Sequence, residues 1–250
     1  ANPDPAGGDA PPAGAPGRVV LDLRHADFDL RAAGEGEGLG VRASYDEQSY
    51  TLLERFEPAA GAEWEYRVEF RRTGLGLLTG LKELLGGTRP KVEVRLPADR
   101  PLALDVDVQQ SALTADLGGL WLTRAGVRVK QGAIDLDVST PLRAPIDELS
   151  FNVSMGGVVL ESLGNASPES LIVELHMGGG DIDLRGRWVN DAHVRIDTSM
   201  GGAQLRLPRD VSITGLERGL SRVEPDAEIA RPTLQIEIDP ADLETIEIID

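Results

Sequence analysis

Acidic residues recur at outward-facing positions of the predicted strands, and their side chains are the best placed in this sequence to do chemistry. They are Asp116, Asp135, Asp137, Glu161, Asp181 and Asp183. If the strands stack in register, the like charges repel one another, which raises the pKa of each carboxyl group or attracts cations. The favoured interpretation of the row is a solvated face that keeps the protein soluble and blocks lateral association of sheets. The alternative is a site for Ca²⁺ or for a cationic partner.

Other candidate chemistry is sparse. The stretch 178–183, Gly-Gly-Gly-Asp-Ile-Asp, is similar to a calcium-binding β-roll repeat, but such rolls use tandem nonapeptides and the stretch occurs once. Paired carboxylates such as Asp181 and Asp183 could do acid–base work, as in polysaccharide-cleaving β-helices, if a cleft added basic groups. The sequence has no Cys, no His-x-x-x-His pair and no nucleophile-elbow or phosphate-loop motif. We therefore predict no zinc site and no catalytic residue.

A Met-Gly-Gly tripeptide occurs three times at nearly constant spacing, with intervals of 22 and 23 residues between Met155, Met177 and Met200. A fixed period in the twenties is typical of a solenoid. The alternation of the strands places the three Met side chains on the inward side, so we expect one internal stack that fills the core. Copper binding by such a Met cluster needs access, which a sealed core excludes.

The Gly-Gly pairs are interpreted as structural corners. They are Gly156, Gly157, Gly178, Gly179, Gly201 and Gly202. Before each Met, apolar residues occupy every second position, as Val194 and Ile196 do before Met200, which is typical of a strand with one buried face. After each pair the apolar parity changes. A bend at the glycines explains the change, because glycine reaches positive φ without a Cβ penalty.

Weaker coils follow the same template. Val108 and Val129 can occupy the place of the Met, and Leu23 fits it near the N-terminus. Successive coils from Val108 to Met200 are then 21, 26, 22 and 23 residues apart.

The predicted fold is all-β: a parallel β-solenoid, or single-stranded β-helix, with two or three short strands in each coil. Stacked coils share a narrow core, which suits an aromatic content of 4% and a total of 29 Gly. The alternative is an antiparallel sandwich, which also has short strands and regular turns. Leu residues at helical spacing over 75–85 predict one short helix on the flank or at an end, with a membrane-surface anchor as the other interpretation.

The chain divides into four predicted segments. Residues 1–17, rich in Ala, Pro and Gly, form a disordered or extended leader, and residues 18–90 hold N-terminal strands and the short helix. The regular coils occupy residues 91–214, and a polar loop and C-terminal strands occupy residues 215–250. The start at Ala1 predicts a mature form left by removal of a signal peptide. We therefore expect an extracellular or cell-surface protein, with the periplasm as the alternative.

Charge and composition restrict the classes of partner that the chain is expected to bind. The chain carries 42 acidic and 25 basic residues, a net charge of −17, which opposes binding to nucleic acid or to an anionic membrane. No apolar run reaches the roughly 18 residues that a transmembrane segment needs. No cofactor is predicted apart from the Ca²⁺ considered above. The expected partners are copies of the chain itself or other cell-envelope proteins.

Residues 91–215 contain the unit Ser-Met-Gly-Gly-x-x-Leu twice and the unit Gly-Gly-Asp-Ile-Asp-Leu once. This part of the chain resembles the bacterial putative-adhesin β-solenoid group, which includes the toast-rack domain and the C-terminal domain of LiaF-type cell-envelope stress regulators. The resemblance covers about half the chain. It implies a stacked β-solenoid at the bacterial envelope with a binding, structural or regulatory role, and it carries over no catalytic residue. The membrane helices of LiaF-type proteins have no counterpart in this sequence.

The leading functional hypothesis is a non-enzymatic exported β-solenoid that acts as a structural or adhesin-like surface protein. In its sharper form, the terminal strands pair between subunits and build a filament. One alternative is a LiaF-type regulatory domain that binds a membrane sensor. The other is a carbohydrate-binding or carbohydrate-active β-helix.

Overall fold

The computed structural model of the protein describes residues 14–34, 36–58, 63–73, 89–215, 231–238 and 246–249. These residues form fifteen strands and one 3-10 helix, Leu163–Asn165. The strands are β1 (Gly17–Arg24), β2 (Asp27–Ala32), β3 (Gly40–Ser44), β4 (Tyr50–Pro58), β5 (Trp64–Arg72), β6 (Lys91–Leu96), β7 (Leu102–Asp116), β8 (Leu122–Asp137), β9 (Glu148–Val153), β10 (Gly156–Glu161), β11 (Ser170–Asp183), β12 (Ala192–Arg206), β13 (Ser212–Thr214), β14 (Thr233–Ile238) and β15 (Ile246–Ile249). The predicted helix over 75–85, most of the predicted leader and most of the polar loop lie outside the described residues.

The all-β, parallel prediction is confirmed, and the strands form a solenoid-like stack. Each coil runs along one sheet, bends at a corner and continues along a second sheet. The first sheet, called face A, has the order β4-β5-β1-β7-β8-β9-β11-β12-β14-β13. The second, called face B, has the order β3-β6-β2-β7-β8-β10-β11-β12-β15. Every neighbour pair is parallel except β4 with β5 and β3 with β6.

The core lies between the two faces and a third side made of loops. Alternate residues of the strands point into it, such as Leu171 and Val173 on face A and Ile182 on face B, each with no exposed surface. The loops that return the chain to face A add buried side chains, among them Leu163 and Ile146. This burial at every second strand position explains why the sequence alternates so strictly.

The N-terminal end of the stack departs from chain order. The coil made of β1 and β2 lies between the β5–β6 coil and β7, so the chain returns across an earlier coil before the regular array begins. Trp64 lies beside Gly17 in this arrangement, and its indole Nε1 donates to the carbonyl oxygen of Ala15 at 3.1 Å. The antiparallel strands β3 and β4 cover this end of the stack.

The pairing register corrects the position of the weaker coils. Val108 pairs with Val129, and Val129 pairs with Val153 rather than with Met155. The prediction that Val108 and Val129 occupy the place of the Met is therefore wrong by two residues. In each regular coil, the first inward position after the corner lies five positions after the last buried residue before it, as Ile134 does after Val129. With this alignment the 26-residue interval becomes one of 24, since Val153 replaces Met155.

Candidate binding surface

Four glycines stack at the corner between face A and face B. Their φ angles are 154° at Gly132, 143° at Gly156, 139° at Gly178 and 151° at Gly201, a region that side-chain-bearing residues rarely adopt. A Cβ atom added at any of them would lie within 1.9 Å of a carbonyl oxygen on the neighbouring coil. Glycine is therefore required at these corners by both backbone conformation and close approach between coils.

The three Met residues precede Gly156, Gly178 and Gly201 and form a row of exposed side chains, called here the Met ridge. Met177 pairs with Met200, and Met155 precedes Gly156, the pairing partner of Gly178. Met155, Met177 and Met200 are 42%, 37% and 64% exposed. The prediction of an internal Met core stack is therefore wrong. The chain turns outward before the Met, so parity counted along the preceding strand no longer applies at the bend.

A shallow groove runs across four coils on face B, beside the Met ridge. Its floor includes the second glycine of each pair, Gly157, Gly179 and Gly202, whose lack of side chains leaves the backbone accessible. Its lining also includes three polar residues, Asp135, Asp181 and Gln204. The groove is open to solvent and has a volume of about 570 Å³.

The predicted acidic residues fall into two columns on face B. One column holds Asp116, Asp137, Glu161 and Asp183 on successive coils. In the other, Val159 separates Asp135 from Asp181, so those two carboxylates are two coils apart. The four-residue column is flanked by arginines, with Arg31 following the β2 residues that pair with β7 and Arg206 paired with Asp183.

The carboxylates at the two ends of the four-residue column, Asp116 and Asp183, accept hydrogen bonds from nearby groups of the protein. The Asp116 carboxylate accepts hydrogen bonds from the backbone N–H of Gly118 and from the Ser139 hydroxyl, at 2.9 and 2.7 Å. Burial alone would raise the pKa of Asp116, but these hydrogen bonds and the charge of Arg31 lower it below its ordinary value. The expectation that neighbouring carboxylates raise each other's pKa is wrong here.

Asp183 behaves in the same way at the other end. It is 5% exposed rather than outward and solvated, and Arg185 closes over it. The Arg185 guanidinium donates to both carboxylate oxygens, with Nε at 2.9 and 3.0 Å and Nη2 at 2.5 Å. Burial acts to raise the pKa of Asp183, but the Arg185 hydrogen bonds outweigh it and lower that pKa. These contacts occupy the oxygens that a cation would need.

The metal hypothesis receives no geometric support from the acidic columns. Among the described residues, no three His, Asp or Glu side chains converge closely enough to hold a metal ion. In the same part of the chain, no helix is long and apolar enough to cross a membrane.

Several arginines of the described strands and corners form an ion pair with a carboxylate two residues away in sequence. Residues two apart on a strand point to the same face, so the pairs could have been found from the sequence. The pairs are Asp22–Arg24, Asp29–Arg31, Glu65–Arg67, Glu93–Arg95, Asp183–Arg185 and Arg195–Asp197.

Comparison with known proteins identifies no family. No family model and no curated protein matches the chain. Among solved structures, it is similar to a "putative cell adhesion protein" from Clostridium sporogenes, with a TM-score of 0.45 and 13% identity over 92% of this chain and 90% of that one. A similarity at this level supports no conclusion about function.

Proposed function

We propose that the chain is a non-enzymatic β-solenoid that acts as a structural or adhesin-like protein at the cell surface. The groove on face B carries the proposal. Small-molecule sites are concave and bury most of their ligand, whereas this groove is open and spans four coils. Such a surface suits a polymer strand or the surface of another protein.

Face A supports the same role in a different way. Its outward side chains form ion pairs that link neighbouring coils, as Arg18 does with Glu65 and with Asp105, and Arg124 with Asp105. These pairs are partly exposed and contribute little stability individually. These pairs occupy charged side chains of face A with one another, so face B is the better candidate for binding.

A binding assay with a groove-filling variant tests the proposal. Fluorescently labelled chain is titrated onto isolated bacterial cell envelopes and onto immobilised extracellular-matrix protein. A Cβ atom at Gly157 meets nothing within 4 Å, so Gly157→Trp places a large side chain in the groove without a clash at the backbone. We expect saturable binding that Gly157→Trp weakens roughly 10-fold or more, a loss of at least 1.4 kcal/mol.

The matched control is His193→Trp, which puts the same side chain at an exposed position of β12 on face A. It should leave binding unchanged. Absence of saturable binding to either surface, or equal weakening by the two variants, would contradict the proposal.

The sharper form of the proposal, self-assembly, is supported by the outermost strands. Among the described strands, β3, β4, β13 and β15 each pair with one neighbour. On face A, β13 has three residues and β4 ends at Pro58, features that limit edge pairing. On face B, β3 runs antiparallel to the stack, so a head-to-tail contact would pair it antiparallel with β15 of the next molecule. Such a head-to-tail contact builds a filament when the rotation between successive molecules does not close a ring.

Light scattering coupled to size exclusion, with electron microscopy, tests assembly over a concentration series with and without Ca²⁺. Filaments or concentration-dependent growth are expected. Monodisperse monomers at high concentration in both conditions would rule assembly out, while leaving the groove assay unaffected.

The residues of the groove bear on one of the two alternative functions, the carbohydrate-active β-helix. The described lining of the groove contains Asp135 and Asp181 but neither Arg nor Lys, so it lacks the mixed charges expected of a carbohydrate-active cleft. The regulatory alternative stays a prediction, and co-purification with a sensor kinase would test it.

A further inference from the structure

All thioether sulfurs of this protein lie in one row. The chain contains three Met and no Cys, and the three Met are Met155, Met177 and Met200 of the Met ridge. Residues on adjacent coils are about 4.8 Å apart along the stack, so the three Cα atoms span roughly 9.6 Å. Each Met side chain has three rotatable bonds and is at least one-third exposed, which lets the outer sulfurs turn towards the middle one.

We propose that the Met ridge binds one Cu(I) ion through its three thioether sulfurs. Thioethers are soft ligands that select Cu(I) over the harder divalent ions, and three sulfurs supply a complete trigonal set. A Met stack sealed in the core would be inaccessible to the ion, whereas the exposed side chains of the Met ridge are open to it. Binding is a ligand exchange of the reduced ion and involves no electron transfer by the protein.

The surroundings of the ridge favour a cation. The net charge of −17 lowers the free energy of a cation near the surface, and Asp135 and Asp181 lie in the adjoining groove. The glycine that follows each Met fixes the spacing of the ridge, since Gly156, Gly178 and Gly201 cannot change conformation without breaking the corner. The site is therefore preorganised in spacing and adaptable in side-chain rotamer.

The first test uses Ag(I), a soft monovalent probe that is stable in air, with chain labelled at the Met methyl carbons. Three methyl signals are expected in the carbon–proton NMR spectrum, one for each Met. One equivalent of Ag(I) should shift all three together and saturate. A shift of one signal alone would overturn the three-sulfur site.

The second test is an anaerobic titration of the full chain against Cu(I) held by bicinchoninate. One Cu(I) per chain should be withdrawn from the indicator. Each single Met→Leu substitution should weaken binding roughly 10-fold or more, and the triple Met155→Leu/Met177→Leu/Met200→Leu variant should lose it. Because the side chains are exposed, circular dichroism of these variants should match that of the unsubstituted protein.

Histidine is the competing ligand, since His176 precedes Met177 and is exposed. Thioethers do not titrate, so Cu(I) binding should be equal at pH 5 and pH 8, whereas an imidazole site weakens as it protonates at pH 5. His176→Asn and His193→Asn should leave the affinity unchanged. Retention of Cu(I) by the triple Leu variant, or its loss in His176→Asn, would overturn the proposal.

Discussion

A Cβ atom on Gly156 would lie 1.7 Å from the carbonyl oxygen of Gly132 on the neighbouring coil. The same relationship repeats along the stack, at 1.8 Å from Gly178 to Gly156 and 1.6 Å from Gly201 to Gly178. Because the coils are held about 4.8 Å apart by backbone hydrogen bonds, a corner cannot move away from its neighbour without breaking the sheets. Stacking of the coils therefore requires glycine at the first position of each Gly-Gly pair.

The corner gives a prediction with a matched control one residue away. Gly156→Ala combines a strained positive φ with a clash against backbone, so we expect a loss of about 3 kcal/mol or more in the free energy of unfolding. Gly157→Ala should change it by about 0.5 kcal/mol or less, because its Cβ meets nothing within 4 Å. Urea denaturation of both variants checks the difference. Equal losses would show that the corner has no special demand for glycine at position 156.

The first corner of the regular array uses a different residue. Gln110 has a φ of 53°, and the register between β7 and β8 shifts beside it. A left-handed conformation costs a residue with a side chain about 1–2 kcal/mol. We therefore expect Gln110→Gly to raise the free energy of unfolding by about 1 kcal/mol.

The control for this substitution is Gln131→Gly at the next corner, in β8, where Gln131 pairs with Gln109, the residue before Gln110. Gln131 has no positive φ in the structure, so glycine there adds flexibility to the unfolded chain without relieving strain. Thermal unfolding should place Gln110→Gly above the unsubstituted protein and Gln131→Gly below it. A lower stability for Gln110→Gly would show that φ at this position is not strained.

The sequence predicted the bends better than it predicted their side chains. A glycine corner follows from local conformation, so Gly156, Gly178 and Gly201 could be found from the repeat. The exposure of Met177 was missed, because parity counting assumes that every residue alternates, and the chain stops alternating where it turns outward. The corner spacing of five residues, visible from Val129 to Ile134, was the signal that would have corrected the count.

The order of the coils could not be predicted from the sequence, for a different physical reason. Insertion of β1 and β2 between β5–β6 and β7 depends on packing between residues far apart in the chain, such as Trp64 over Gly17. Local patterns of apolar residues identify a strand and its buried face. They do not say which strand lies beside it when every coil has the same pattern.

The Trp64–Gly17 contact gives a prediction for this end of the stack. A Cβ atom on Gly17 would lie 2.1 Å from two carbons of the Trp64 indole, which would have to move away from its hydrogen bond to Ala15. We expect Gly17→Ala to cost about 1–3 kcal/mol of stability. It should also shift the Trp64 signal in NMR of chain labelled with 5-fluorotryptophan.

Gly40→Ala is the control for that substitution, since its Cβ meets nothing within 4 Å. It should leave the three fluorotryptophan signals in place, and the signals are assigned by single Trp→Phe substitutions. An unmoved Trp64 signal in Gly17→Ala would contradict the packing described here.

Asp183 gives the fold a pH dependence in acid. Its pKa is raised by burial but lowered overall, below its ordinary value, by the hydrogen bonds and charge of Arg185. The folded state therefore favours the ionised carboxylate more than the unfolded chain does. The resulting stabilisation is fully present above the unfolded pKa of about 3.9 and is lost as the pH falls through the lower pKa of the folded state.

Comparison of Asp183→Asn with the unsubstituted protein isolates this contribution. At pH 7 the variant should be less stable by about 1–2 kcal/mol, a value kept small because Arg185 is mostly exposed and its charge is screened. The difference should stay constant down to about pH 4 and shrink below it, as the carboxyl of the unsubstituted protein becomes protonated. Asp135→Asn is the control, since the Asp135 side chain makes no hydrogen bond or ion pair within the described part of the chain, and this substitution should change the free energy of unfolding by about 0.5 kcal/mol or less. Urea denaturation from pH 7 to pH 2.5 measures all three, and a pH-independent difference for Asp183→Asn would show that the ionised Asp183–Arg185 pair does not stabilise the fold.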